Sequence, residues 1–174
     1  MTIAQQLYEG IDLGPGEPVG LITYMRTDST RIAAEAAVEA QQLILDRFGK
    51  EYALDKPRYF KNKNKVQDAH EAIRPTSVLN TPERVKPHLS AEQYALYQLI
   101  WQRFVASQMA QALINQLSLS IKAGVYTFTA SGSTVKFPGF MALYMSVDDQ
   151  VASDSEQKKP KLPALAQGDR KSVV

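Results

Sequence analysis

The sequence contains no cysteine, which excludes disulfides and thiolate metal sites and leaves the redox compartment otherwise undecided. No apolar run approaches a membrane span, and the N-terminus has no charged, apolar, small-residue leader pattern. A cytoplasmic protein with no membrane partner is therefore expected. Neither sign of charge dominates. Twenty Lys and Arg against 18 Asp and Glu leave +2, too little to announce nucleic acid, so any such signal must be local. No Asp-x-Asp-x-Glu run occurs, and Asp148 and Asp149 stand adjacent in a polar stretch, a poor arrangement for a metal. No metal site is expected in this chain. What remains, 44% hydrophobic and 22% charged over 174 residues, suits one folded domain or a domain with part of another.

Within that ordinary background, the stretch GLITYMRTDSTR at 20–31 places Tyr24 two residues before Arg26. A phenol is almost wholly protonated at neutral pH and attacks a phosphodiester only with help. A guanidinium gives that help by gripping two phosphate oxygens and offsetting charge in the transition state. If residues 21–25 form a strand, Tyr24 and Arg26 share a face and one phosphate can touch both. The plainer reading is a buried strand followed by a helix, with Asp28, Ser29 and Thr30 as capping residues. The two are compatible.

A second cluster, QDAHEAIRPT at 67–76, gathers His70, Glu71 and Arg74 before Pro75. A helix ending there would set His70 and Arg74 four apart on one face. Just before it, residues 56–65 carry five basic residues, Lys61, Lys63 and Lys65 among them, and no acidic one. That run is the local nucleic-acid signal.

Periodicity supplies the organisation. Residues 3–8 read as a short helix and 10–20 as a loop broken by glycine and proline. Residues 32–48 read as an amphipathic helix with Ile32, Val38, Leu45 and Phe48 among alanines, stopped by Gly49. Residues 50–65 read as loop. Pro82 opens a short helix, and Ser90 caps a long one to about Met109, with Tyr97 and Trp101 in the core. From Leu117 the period falls to two, giving strands near 117–121, 125–130 and 134–137 with turns at Gly124 and Gly132. The expected fold class is α+β: a mostly helical domain over 1–110 carrying the tyrosine, a partial antiparallel β domain over 111–147, and a polar linker with a short terminal segment over 148–174.

TYMRTDST at 23–30 combined with HEAIRPT at 70–76 resembles the type IA DNA topoisomerases. LYEGIDLG at 7–14, LYQLIWQRFVASQM at 96–109 and ASGSTVKFPGF at 130–140 are similar to that family as well. Met25 stands where the related topoisomerase III enzymes usually carry proline, which points to the bacterial topoisomerase I branch. The resemblance implies that Tyr24 is the nucleophile joining a DNA 5′ phosphate and that Arg26 holds the scissile phosphate. It implies that His70 lines the site and couples to its opening, with Asp28 the acidic neighbour of the nucleophile. Arg26, Asp28, Arg74, Lys61, Lys63 and Lys65 are the expected DNA-binding set, while Glu71 and Arg74 belong to the same motif with less defined roles.

The resemblance further implies a winged-helix-like nucleophile domain, single-stranded DNA as partner, and a bacterial, nucleoid-associated location. The family's acidic metal cluster lies in a separate N-terminal domain, so Mg²⁺ and the remaining domains of a parent enzyme are expected outside this chain. The expectation is thus an excised central piece, inactive in relaxation by itself. Its parent would cut and reseal one strand through a phosphotyrosine bond and relax negative supercoils without ATP. Two rivals are weighed against it. A non-catalytic nucleic-acid-binding module would not need Tyr24 and Arg26 together. A tyrosine recombinase would surround the phosphate with two arginines and further His or Lys, a pattern absent here.

Overall fold

A computed structural model describes residues 2–60 and 70–144. Lys61, Lys63 and Lys65, Asp148 and Asp149, and the expected linker at 148–174 lie outside the described residues. Helix α1, Thr2–Glu9, buries Leu7. The loop after it is closed by paired backbone bonds between Ile11 and Val19, 2.9 Å each way. Gly20 then runs against α1 so closely that a Cβ there would lie 2.6 Å from the Tyr8 carbonyl oxygen. Only glycine fits.

Helix α2 spans Ala34–Phe48 and begins later than the sequence suggests. Its N-cap is Ala33, without a side-chain bond. Ser29 Oγ accepts from the Arg31 N–H instead (3.2 Å), and the Arg31 carbonyl accepts from Ala72 (2.8 Å). That contact with a distant segment keeps the chain extended where a local cap was expected. The buried face also differs. Ala36, Ala37, Ala40 and Ile44 are buried, whereas Val38 and Leu45 are exposed. Spaced three and four apart, the alanines form a smooth stripe that lets neighbours approach closely. Gly49 ends the helix as expected, with φ 96° and its N–H bonded to the Ile44 and Leu45 carbonyls.

Helix α3, Pro82–Val85, is capped by Thr81. Helix α4, Ala91–Ser107, opens on a reciprocal capping box between Ser90 and Gln93. Tyr97, Trp101, Phe104 and Val105 are its buried stripe, so the aromatics are core as expected. Their polar tips are satisfied by the loop after the His-Glu-Arg motif: Tyr97 donates to the Asn80 carbonyl (2.5 Å) and Trp101 Nε1 to that of Val78 (2.9 Å). Glu39 of α2 grips the same loop, accepting from Ser77 Oγ and the Val78 N–H. The motif therefore rests on both long helices.

Strands β1, Leu113–Ala123, and β2, Tyr126–Phe137, form one antiparallel hairpin. Three strands with a turn at Gly132 were expected. Gly132 instead pairs with Leu117 inside the ladder, and the single turn is at Gly124, whose φ of 63° suits the first position of a two-residue II′ hairpin. After the hairpin the chain returns to the helices, with Phe140 donating to the Ala110 carbonyl (2.9 Å) and Leu143 buried. Helices and hairpin together make an α+β chain.

Candidate active site around Tyr24

The segment carrying Tyr24 and the one carrying His70 lie side by side and antiparallel. Thr76 donates to the Leu21 carbonyl (3.0 Å) and Thr23 to that of Arg74 (2.9 Å). Ile22 and Pro75 form the bridge between them. Pairing ends on both sides of that bridge, because the Leu21 N–H goes to the Leu7 carbonyl (2.7 Å) and the Arg74 N–H to the Thr23 side chain, so residues 21–25 make one isolated bridge where a strand was expected. The helix expected to end before Pro75 is also absent. Backbone N–H groups that a helix would use internally go across instead, Ala72 to Arg31 and Arg74 to Thr23 Oγ1 (3.0 Å). His70 and Arg74 thus do not share a helix face.

Tyr24 is half exposed, at 50%. Its ring meets Tyr8 edge to face at 5.3 Å and lies 6.3 Å from the His70 ring. Directly after it, the Arg26 N–H closes on the Tyr24 carbonyl at 2.8 Å, a three-residue γ-turn centred on Met25. Tyr24 and Arg26 are therefore brought round a turn, and not along one face of a strand. Met25, between them, lines an apolar cavity of about 480 Å³ with Ile22, Ile73 and Ile100. Arg26 Nε pairs with Asp28 Oδ2 at 2.7 Å, and the arginine side chain remains 54% exposed. The other carboxylate oxygen, Asp28 Oδ1, and His70 Nδ1 are buried without a hydrogen-bond partner among the described residues. A half-open phenol, a cation fixed through one nitrogen and two unsatisfied polar atoms so share one neighbourhood.

The second arginine is placed differently. Arg74 is 11% exposed and turned inward, with Nε and Nη2 on Glu71 Oε2 (2.9 and 2.6 Å) and Nη1 on the Pro75 carbonyl (2.9 Å). In the basic run, Arg58 reaches the Ser107 carbonyl at the end of α4, where a cation also suits the helix dipole. Its backbone is held by the buried Gln108 through paired 3.0 Å bonds. Two neighbours of Tyr24, Tyr8 and Thr23, were given no part of their own in the sequence reading. LYEG was visible as a family pattern, but nothing local says that its tyrosine would stack on Tyr24.

Among the described residues no three of His, Asp and Glu gather in a way that could hold a metal ion, and Glu71 is engaged by Arg74. The described donor set does not fit Mg²⁺.

The whole chain, residues 1–174, matches the family model for DNA topoisomerase. Among solved structures, full-length topoisomerase I from Thermotoga maritima is similar, at 36% identity and a TM-score of 0.73 over 95% of this chain. The chain spans 25% of that protein's length. With the motifs of both segments inside the matched region, the chain belongs to the bacterial type IA DNA topoisomerase family.

Proposed function

We propose that this chain is the nucleophile-bearing part of a topoisomerase that cuts one DNA strand, lets another pass and reseals the break. Tyr24 Oη attacks the phosphorus of single-stranded DNA. The O–P bond forms as the phenol gives up its proton, the P–O3′ bond breaks, and the 3′ oxygen leaves as a hydroxyl. Arg26 holds the phosphate with the part of its guanidinium not bound to Asp28, which keeps the fork oriented. His70 borders the nucleophile and offers a ring nitrogen to the DNA or to the moving site. Reversal reseals the strand without ATP, because the phosphotyrosine bond conserves the energy of the broken phosphodiester. The product is DNA with fewer negative supercoils. Magnesium belongs, on the family resemblance, to a domain outside this chain, and no step here runs through it. The setting is bacterial, cytoplasmic and nucleoid-associated.

The observation that carries this reading is the half-exposed Tyr24 on a γ-turn with Arg26, beside His70. Seven other tyrosines occur, and none has an arginine two residues on. Denaturant quenching of the full-length enzyme on DNA should trap a 5′-phosphotyrosine adduct at Tyr24 alone, identified by mass spectrometry. Tyr24→Phe should keep binding and abolish the adduct. A nucleotide on any other tyrosine would overturn the assignment. The isolated chain should not relax plasmid DNA, and its affinity for single strands should weaken as salt rises.

A further inference from the structure

Thr23 precedes the nucleophile, and its hydroxyl is used twice. Oγ1 donates to the Ala72 carbonyl at 2.7 Å and accepts from the Arg74 N–H at 3.0 Å. One donor and two acceptor sites allow both at once. In a regular antiparallel ladder, a bonded residue pair exchanges two main-chain hydrogen bonds. Here one is present, from the Thr23 N–H to the Arg74 carbonyl (2.9 Å), while its reciprocal goes to the threonine side chain. The hydroxyl stands in for the main-chain carbonyl. Pairing stops at that residue, and the backbone turns at once into the γ-turn between Tyr24 and Arg26. At the far end Thr76 makes a similar clasp, with its N–H on Leu21 and its hydroxyl on the Gly20 carbonyl (2.7 Å). Only the Thr23 clasp abuts the reacting residue.

We infer that Thr23 is a positioning residue whose hydroxyl ends the ladder and fixes Tyr24 relative to the segment carrying His70. This rests on the reading of Tyr24 as nucleophile. Without the hydroxyl, the Arg74 N–H and Ala72 carbonyl lose their partner. With that clasp released, the end of the ladder loosens and Tyr24 loses its fixed place beside the segment carrying His70. A shift of about 1 Å at a reacting atom can slow a reaction on the order of a hundredfold.

The test compares Thr23→Val, which keeps the shape and loses the hydroxyl, with Thr23→Ser, which keeps the hydroxyl. Both are made in the full-length enzyme and assayed well below their melting temperatures. Single-turnover adduct formation from bound DNA should fall at least about tenfold in Thr23→Val, with the DNA dissociation constant within about threefold of wild type. Thr23→Ser should recover cleavage to within about threefold. Wild-type cleavage in Thr23→Val, an equal loss in both variants, or a loss confined to binding would each overturn the inference. If wild type itself gave no Tyr24 adduct, the nucleophile reading would fail separately. Hydrogen exchange at the Arg74 amide then judges the clasp: protection should be lost in Thr23→Val and kept in Thr23→Ser, and unchanged protection in Thr23→Val would refute it.

Discussion

In the helical body, Tyr97, Trp101 and Val105 of α4 are buried, with α1 and α3 packed against that helix. In the hairpin, Leu117, Ile121 and Phe128 stand open to solvent although the ladder between β1 and β2 is paired almost throughout. Both regions carry the hydrophobic period of their secondary structure. The difference is in what covers them. A local pattern fixes the element, whereas burial depends on a partner supplied from elsewhere in the fold, and two strands alone are marginal in water. The residues of the candidate site belong to the body, where Glu39, Tyr97 and Trp101 hold the loop behind the His-Glu-Arg motif.

The comparison breaks most visibly at Trp101. Trp101→Ala should destabilise the body by about 3–5 kcal/mol, since it removes a buried ring and leaves the Val78 carbonyl unpaired. Denaturant unfolding followed by circular dichroism measures this. A loss under about 1 kcal/mol would mean that the body is not one cooperative core.

Within the body, the two arginines should separate by readout. Arg74→Ala should lower stability by about 2 kcal/mol, because inward charge-assisted bonds to Glu71 and a backbone carbonyl disappear. Arg26→Ala should change stability by less than about 1 kcal/mol, the arginine side chain being more than half exposed. In the full-length enzyme it should slow cleavage of bound DNA roughly a hundredfold, as loss of a transition-state donor does. If Arg26→Ala weakened binding and left cleavage untouched, its role would be only to place the strand.

A smaller effect should appear in alkali. Burial pushes the Tyr97 phenol above its ordinary value, and the nearby Glu39 carboxylate adds to the rise. Below about pH 10 the phenol is protonated in folded and unfolded chains alike, so its contribution is fully present. Above that, the unfolded chain loses the proton while the folded one keeps it. Stability should therefore fall with rising pH, by up to about 1.4 kcal/mol per unit from this group. Melting temperatures between pH 9 and 11.5 should decline more steeply in wild type than in Tyr97→Phe. Parallel slopes would remove Tyr97 as the source.

These contrasts also mark what could be read from the chain alone. Tyr24 and Arg26 drew attention by residue type and His70 only through the combined family motifs, and the structure sets Tyr24 beside His70. The Ser90 box and the Gly49 stop were legible because capping is local. The strand expected at 21–25, the helix before Pro75 and the early start of α2 went astray for one reason. In all three, backbone groups of one segment are satisfied by the other or by Arg31, far away in sequence. The alanine face of α2 was hidden by hydrophobicity itself, since Val38 and Leu45 outrank alanine on any scale yet face solvent. Arg58 looked like part of a basic surface and instead closes the end of α4.

The smallest effect is expected in the hairpin, and it sharpens the comparison most. Phe128 pairs with Ile121 across the ladder and is 59% exposed, so Phe128→Ser removes a cross-strand contact without opening a cavity. Such a contact contributes roughly 0.2–1 kcal/mol. The chain's unfolding midpoint should therefore shift by less than about 1 kcal/mol equivalent, against several for Trp101→Ala. Amide exchange adds a local measure. Protection in β1 and β2 should fall on substitution while that of α4 stays as it was, because the hairpin opens without the core. A shift as large as that of Trp101→Ala, or loss of protection in α4, would show that hairpin and body unfold as one unit and that the ladder is coupled to the core despite its exposure.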